Sequence, residues 1–272
     1  MSNTKLIGGR RVRWDDERAA EAYARGWWVR DTLADSLADA AQRTPQRTVL
    51  IDGDCRVDCE RLSEQATALA RALLARMPTA LARALLARMP TGSVVSFMLP
   101  NWHEATVIYL AATIAGMVVN PILPSLRDRE LLFILNDADT RMIFVPSVFG
   151  RHDYASMLTR AVAQMESPPE VVVVRADVDG LSASHTSFPS LLHSHQPAVG
   201  LPTLDPDAVR MILYTSGTTG RPKGVLHSHN SMHALIRQLR EHWQVQPGDR
   251  FLVPSPIAHI GGSIYAFECP LL

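Results

Sequence analysis

The chain alternates short apolar runs with longer amphipathic segments, and this alternation restricts its possible folds more than any other feature. Apolar runs at 93–99, 141–145 and 171–175 have the length and composition of buried strands. Segments at 104–117 and 154–165 have the length and periodicity of helices. Strands that alternate with helices in this way favour an α/β fold with mostly parallel sheets flanked by helices.

The chain divides into three predicted parts. Residues 1–45 form an N-terminal segment with an amphipathic helix at 30–42. Residues 46–200 form a first α/β subdomain, and residues 201–272 begin a second one. A polar stretch at 182–206, which contains serines, histidines and prolines, connects the two subdomains.

A tandem repeat interrupts the first subdomain. Residues 68–79 read A-L-A-R-A-L-L-A-R-M-P-T, and residues 80–91 repeat them without change. A shift of twelve residues rotates the apolar face of a helix by about 120°, so one continuous helix cannot bury both copies on one sheet. Pro78 also breaks such a helix. We therefore expect a recent duplication carried on the surface, although a helix that binds a partner is an alternative.

A loop rich in glycine and threonine follows the strand predicted at 211–214. The sequence from 211 to 224 reads M-I-L-Y-T-S-G-T-T-G-R-P-K-G. Glycines let backbone N–H groups approach an anion closely, and successive N–H groups form a concave anion nest. The hydroxyls add donors, and Lys223 adds a mobile charge suited to a terminal phosphate. The loop is predicted to bind a polyphosphate, although such stretches also form flexible surface turns.

This loop differs from the Walker motif but resembles another phosphate-binding motif. A Walker loop requires a glycine five positions before Gly-Lys-Ser/Thr, whereas Pro222 precedes Lys223 here. Residues 214–225 resemble the phosphate-loop motif of the adenylate-forming superfamily. This superfamily includes acyl-CoA synthetases, adenylation domains of peptide synthetases and luciferase-like enzymes.

Two further stretches support this resemblance, which extends from about residue 36 to the end of the chain. A-G-M-V-V-N-P-I-L-P at 115–124, with Glu130 after it, is similar to a segment of the family. P-S-P-I-A-H-I-G-G at 254–262 is similar to the segment in which a histidine or aromatic residue borders the carboxylate pocket.

The resemblance implies two groups of site residues. The carboxylate pocket would contain His259, Gly261 and Gly262, although a lone histidine is often a core residue instead. No catalytic residue and no metal ligand is assigned; His227, His229 and His233 lack the glutamate of the zinc-protease pattern, since Asn230 occupies its place. The predicted ligands of ATP and pyrophosphate are Thr215, Ser216, Gly217, Thr218, Thr219, Gly220 and Lys223.

The resemblance also implies that the chain is the N-terminal portion of a longer architecture. The family's adenine pocket, ribose-binding aspartate and C-terminal domain with its adenylation lysine have no counterpart here. We therefore expect no adenylation by the isolated chain, and either a separately encoded C-terminal half or a non-catalytic remnant of a split or frameshifted gene. We also expect strands at 211–214 and 251–253 to form exposed apolar edges, which would make the isolated chain fold poorly.

The implied parent reaction is the activation of a carboxylic acid by ATP and Mg²⁺, followed by transfer to coenzyme A. A CoA ligase is favoured over an adenylation domain of a peptide synthetase, because no carrier or condensation sequence is attached. The stretches at 118–124 and 149–157 are similar to ligases of cyclic, aromatic or medium-chain acids, such as cyclohexanecarboxylate–CoA ligase. Fatty acids remain an equal alternative.

The composition argues against other functional classes. The formal net charge of zero gives no electrostatic attraction for nucleic acid or anionic lipid. Three cysteines without a C-x-x-C pair favour a reducing compartment, and the basic N-terminus lacks the apolar core of a secretory signal. The longest apolar run, 107–119, is shorter than the ~20 residues of a membrane span. A cytoplasmic protein is predicted.

Overall fold

A computed structural model of the chain describes residues 4–76, 92–176, 181–193, 200–215 and 221–271. The end of the first copy of the repeat and the whole second copy lie outside these residues. So do Ser216, Gly217, Thr218, Thr219 and Gly220 of the predicted phosphate loop.

The described elements agree in type with most of the sequence prediction. The helices are α1 (Asp16–Ala24), α2 (Leu33–Arg43), α3 (Cys59–Ala75), α4 (His103–Ile114), α5 (Asp128–Asp137), α6 (Tyr154–Val162), α7 (Phe188–Leu192), α8 (His229–His242) and α9 (Ile260–Ser263), which continues as a π-helix (Ile264–Glu268). The strands are β1 (Thr4–Ile7), β2 (Arg10–Arg13), β3 (Thr48–Asp52), β4 (Cys55–Asp58), β5 (Val94–Phe97), β6 (Val118–Pro121), β7 (Thr140–Pro146), β8 (Val148–Phe149), β9 (His152–Asp153), β10 (Glu170–Val174), β11 (Thr186–Ser187), β12 (Val209–Thr215) and β13 (Lys223–Ser228).

The central sheet has seven described strands in the order β11-β10-β7-β5-β6-β12-β13. All neighbouring pairs are parallel except β12 and β13, which are antiparallel. From β5 the chain passes through α4 to β6 on one side, then through α5 to β7 on the other. Ligands of open α/β sheets bind at the carboxyl ends of the strands where the connections reverse in this way, which here is between β5 and β7. The predicted mostly parallel α/β fold is confirmed.

Helices cover both faces of the sheet at its central strands, which explains why those strands are mostly apolar. Met142 and Phe144 of β7 pack with α3 and α4 on one face. Ile143 and Val145, which alternate with them, pack with α5 and α6 on the other. Helix α4 is buried throughout, so it lacks the polar face of a surface helix. None of the described helices has the length and hydrophobicity needed to cross a membrane.

Two sequence predictions need correction, and one stretch contains elements that were not predicted. The strand predicted at 211–214 is not an exposed edge, because β12 is buried and pairs with β6 and β13. No strand forms at 251–253, where the backbone has no strand partner and Leu252 is 90% exposed. The connector at 182–206 is not wholly irregular, because it contains β11 and α7, which pack against β10.

The proposed boundary near residue 200 stays a prediction. Strand β12 lies beyond that boundary, yet it pairs with β6 within the same sheet. Helix α3 ends at Ala75, ahead of Pro78, and the rest of the repeat lies outside the described residues.

Candidate functional site

The ends of the predicted phosphate loop are held together by the hairpin of β12 and β13. Thr215, the last residue of β12, is opposite Lys223, the first residue of β13. The Thr215 hydroxyl lies 3.5 Å from the Lys223 carbonyl oxygen, to which it donates. Both residues are exposed. The hairpin therefore presents a hydroxyl and an ammonium group side by side where the loop begins and ends.

The loop also lies at the edge of the sheet where a ligand is expected. Because β12 runs parallel to β6, and β6 to β5, Thr215 lies at the same edge as the carboxyl ends of those strands. The contacts of the five undescribed loop residues with a phosphate stay a prediction.

Tyr214 fixes the hairpin to helix α5. Its hydroxyl donates to Oδ2 of Asp137 at 2.6 Å. Burial, reinforced by the Asp137 carboxylate, raises the pKa of Tyr214 well above its usual value, so the phenol stays a donor. On the opposite strand, a Cβ at Gly224 would lie 3.0 Å from Ile212 and 3.3 Å from the Tyr214 ring. Gly224 thus gives the Tyr214 ring room, a packing role that adds to the one predicted for the loop glycines.

The predicted carboxylate segment forms the tight start of helix α9. His259 is its N-cap, and Nδ1 accepts a hydrogen bond from the Gly261 backbone N–H at 3.3 Å. His259 is exposed, so it is not a core histidine. A Cβ at Gly262 would lie 2.2 Å from the Pro256 carbonyl oxygen, so only glycine fits there. The role of His259, Gly261 and Gly262 toward a carboxylate stays a prediction.

Asn101 connects this segment to the central sheet. Its Nδ2 donates to the carbonyl oxygens of Val253 at 2.8 Å and Ser255 at 2.9 Å, and its Oδ1 accepts from the Ile257 N–H at 3.0 Å. Because Asn101 follows β5, it fixes the segment at the carboxyl edge of the sheet. Asn101 was not predicted as a site residue, because its only signal in the sequence is a polar side chain just after a buried strand.

A large cavity in the described part of the chain lies elsewhere. Its volume is about 730 Å³, and it lies between the α2–β3 region and residues 245–271. Asn101 and Trp102 line it, but no predicted phosphate or carboxylate ligand does. The described residues thus place the two predicted groups on separate segments of the sheet edge, without enclosing them in one cavity.

The three histidines near the loop do not form a metal site among the described residues. Burial, with the nearby Arg210 charge, lowers the pKa of His229 to about 2. Burial likewise lowers the pKa of His227 and His233. We therefore interpret these three histidines as neutral side chains that pack against their neighbours.

A different group, Asp52, His103 and Glu104, has side-chain oxygen and nitrogen atoms close enough to hold a metal ion. Arg175 already occupies the middle of this group. Its Nη2 donates to Asp52 at 2.6 Å, and its Nε donates to Glu104 at 2.7 Å. The guanidinium also lies 4.1 Å from the centre of the Trp102 ring. We therefore interpret the group as a salt-bridge network in which the cation is an arginine.

Comparison with known proteins identifies the family. The model of the family described as "AMP-binding enzyme" matches residues 37–272. The chain belongs to this family. Its fold is that of the N-terminal domain of adenylate-forming enzymes, as the sequence resemblance implied.

Similar proteins include several CoA ligases. The chain is 29% identical to the medium-chain fatty-acid–CoA ligase of Escherichia coli (strain K12), over 100% of the chain and 45% of the relative. It is 31% identical to the sulfoacetate–CoA ligase of Cupriavidus necator, over 90% of the chain and 44% of the relative. The chain thus spans a little under half the length of these curated relatives.

Solved structures show the same fold. MbtA from Mycobacterium smegmatis superposes with a TM-score of 0.76 at 25% identity, over 94% of this chain and 44% of that one. The o-succinylbenzoate CoA synthetase of Bacillus subtilis superposes with a TM-score of 0.65 at 22% identity, over 89% and 54%.

Proposed function

We propose that this chain provides the phosphate-binding and carboxylate-binding segments of an ATP-dependent carboxylate–CoA ligase that works through an acyl-adenylate. One observation carries the proposal. The β12–β13 hairpin presents Thr215 and Lys223 at the carboxyl edge of a parallel sheet, around a loop of glycines and hydroxyls. Membership of the AMP-binding family and the CoA ligases among the relatives support it.

The residues present fit the phosphates of ATP. The Lys223 ammonium is exposed and has the charge to stabilise the leaving pyrophosphate, and the Thr215 hydroxyl would donate to a phosphate oxygen in place of its long 3.5 Å bond to the Lys223 carbonyl oxygen. Mg²⁺ is bound in such sites largely through the substrate phosphates, and we propose it as the companion of ATP. Coenzyme A would supply the thiol that takes the acyl group from the adenylate. We propose that His259 borders the carboxylate, because it lies exposed at the N-terminus of α9.

The acid is not defined by the relatives. Their names include a medium-chain fatty acid, sulfoacetate and hydroxybenzoates, which share only a carboxylate. We propose a fatty, cyclic or aromatic acid. Measuring the affinity of the protein for octanoate, cyclohexanecarboxylate and 4-hydroxybenzoate, each in competition with the other two, would separate these classes of acid.

Lysine labelling tests the phosphate site, because the chain contains only two lysines, Lys5 and Lys223. The purified chain is treated with an amine-reactive acyl reagent, with and without ATP and Mg²⁺, and modification of each lysine is measured by mass spectrometry. We expect ATP and inorganic pyrophosphate to protect Lys223. Lys5 is an internal control, since it is paired with Asp16 at 3.1 Å and should be labelled equally in both samples. Equal labelling of Lys223 with and without both ligands would contradict the phosphate site.

The expectation that the isolated chain forms no acyl-adenylate stays a prediction. It is checked by measuring pyrophosphate release from ATP, Mg²⁺ and the three acids named above. Release above background would show that the 272 residues suffice for adenylation. We also propose a cytoplasmic location, because all three cysteines are free thiols, as expected in a reducing compartment.

A further inference from the structure

A buried group of three polar side chains connects the two predicted parts of the site. Arg210 of β12 donates from Nη1 to the Tyr109 hydroxyl at 2.6 Å, and from Nη2 to Oε1 of Glu268. The Tyr109 hydroxyl in turn donates to the same Glu268 oxygen at 2.6 Å. The side chains of Arg210 and Glu268 are only 3% and 2% exposed. We call Tyr109, Arg210 and Glu268 the buried triad.

The buried triad stabilises the core less than apolar side chains of similar size would. Burying an ion pair costs desolvation that its attraction often does not recover, so such a pair is weak evidence for stability. Burial alone would lower the pKa of Arg210, but the Glu268 carboxylate and the Tyr109 hydroxyl raise it above its usual value. Arg210 therefore remains charged, and its charge holds Glu268 in one place. Directional contacts of this kind define position more than they add stability.

Each end of the triad belongs to a different predicted ligand segment. Arg210 lies on the same strand as Thr215, so it is rigidly joined to the start of the phosphate loop. Glu268 ends the π-helix that continues α9 directly, so it is joined to His259 and Gly262.

The π-helix brings two consecutive residues onto α4. The Phe267 ring stacks on the Tyr109 ring, with centroids 4.2 Å apart and planes 24° apart. The neighbouring Glu268 bonds the hydroxyl of the same tyrosine. π-Helical turns are uncommon and are frequent at functional sites.

We propose that Arg210, Tyr109 and Glu268 are positioning residues that fix the helix carrying His259 relative to the strand carrying Thr215. The proposal rests on the proposed function, which assigns those two segments to one site. Its consequence is that a ligand held at the phosphate loop also orders the His259 helix.

Hydrogen–deuterium exchange measured by mass spectrometry tests the proposal on the 272-residue chain. In the parent, we expect Mg²⁺ with inorganic pyrophosphate to slow exchange in peptides from 209–228 and also from 257–271. Tyr109→Phe keeps the ring stack and the direct Arg210–Glu268 pair but loses the hydroxyl that bonds to both, so the same ligand should slow exchange at 257–271 less than in the parent. Without ligand, exchange at 257–271 should be at least about threefold faster in this variant, because the two bonds of the Tyr109 hydroxyl to charged groups are lost.

Tyr154→Phe is the matched control. Tyr154 is also a buried tyrosine, and its hydroxyl donates to the Pro124 carbonyl oxygen at 2.8 Å on the opposite face of the sheet. This variant should leave exchange at 257–271 unchanged in both conditions. Glu268→Gln should show the same pattern as Tyr109→Phe, more strongly, since Arg210 loses its counter-charge. If Glu268→Gln fails to fold, the two tyrosine variants still decide the question.

The outcomes separate this proposal from the proposed function. If pyrophosphate changes exchange nowhere in the parent, the phosphate site is wrong, and the unliganded variants still report on the contacts of the triad. If pyrophosphate protects 209–228 but not 257–271 in the parent, the positioning role is overturned. Equal acceleration at 257–271 in Tyr109→Phe and Tyr154→Phe would overturn it as well.

Discussion

Gly262 shows how strongly a single residue can be constrained by its neighbours. Its missing side chain leaves space that the Pro256 carbonyl oxygen occupies, whereas the adjacent Gly261 has its nearest atom, His259 Nδ1, at 3.7 Å. The sequence suggested the same role for both glycines. The structure separates them, because only one is packed against backbone that cannot move without shifting the whole segment.

The two glycines give a matched pair of substitutions. Gly262→Ala should lower the free energy of unfolding by more than about 2 kcal/mol, because the new Cβ forces the backbone of residues 255–256 to shift. Gly261→Ala should leave it within about 1 kcal/mol, or raise it, since alanine favours the helix and meets no clash. Urea denaturation measures both values. Equal effects would show that the close approach at Gly262 does not exist in solution.

Buried His229 predicts how stability depends on pH. Its pKa in the folded chain is about 2, well below the ordinary value of 6.5. Because the pKa of His229 is lowered in the folded chain, only the unfolded chain binds a proton there as the pH falls below 6.5. The contribution of neutral His229 to the free energy of unfolding is therefore fully present above pH 6.5 and is lost as the pH falls. Each such histidine should reduce the free energy of unfolding by about 1.4 kcal/mol per pH unit in this range.

The measurement is urea denaturation at several pH values between 7 and 5. His229→Gln should reduce the slope of stability against pH by close to one proton, while a smaller slope persists from His227 and His233, whose pKa values are lowered by burial. Gln238→Ala, at an exposed position on the same helix whose side chain does not titrate, is the control and should leave the slope unchanged. An unaltered slope in His229→Gln would mean that His229 is hydrated in the folded chain.

At the scale of elements, periodicity predicted the strands and helices that pack on both faces of the sheet, because burial on two faces requires apolar residues throughout. Strand β12 was also predicted, whereas residues 216–220 of the phosphate loop after it lie outside the described residues. The failure at 251–253 has a physical cause. An apolar, β-branched run forms a strand only where a neighbouring strand bonds to it, and here the side chain of Asn101 bonds to the backbone instead. Contacts between residues 150 positions apart leave no periodic signal in sequence.

Asn101 therefore gives a prediction at this scale. Asn101→Asp keeps an oxygen for the Ile257 N–H but loses both donors to Val253 and Ser255. We expect a loss of about 1–3 kcal/mol in the free energy of unfolding, since two carbonyl acceptors are left without their donor. Limited proteolysis should cut faster within 251–258. Asn136→Asp is the control, because its amide donates only to the Leu132 carbonyl oxygen on the exposed side of α5. Unchanged cleavage in Asn101→Asp would refute the anchoring role.

At the scale of the whole molecule, the N-terminal segment is attached to the helix that follows the phosphate-loop hairpin. Asn230, near the start of α8, donates from Nδ2 to the Tyr23 hydroxyl and to Asp207, both at 2.8 Å. Its Oδ1 accepts from the Val29 N–H at 2.9 Å. Asn230 is almost fully buried, so these bonds are shielded from water. In the sequence, Asn230 was noted only for its place between His229 and His233, and nothing there indicated this link across about 200 residues.

This link predicts that Asn230 contributes to the attachment of the N-terminal segment, together with the Tyr23–Asp207 bond at 2.6 Å and the bond from Arg237 to the Gly26 carbonyl oxygen. Asn230→Ala should loosen residues 4–30, because the buried Val29 N–H loses its acceptor and Tyr23 and Asp207 each lose one bond, and a buried donor without a partner costs free energy. We expect proteolysis within 4–30 to become at least about tenfold faster, while the central sheet keeps its protection from exchange. Gln238→Ala, at an exposed position on the same helix, should change neither. If Asn230→Ala instead destabilises the sheet and the N-terminal segment equally, the two unfold as one unit and the segment is part of the core.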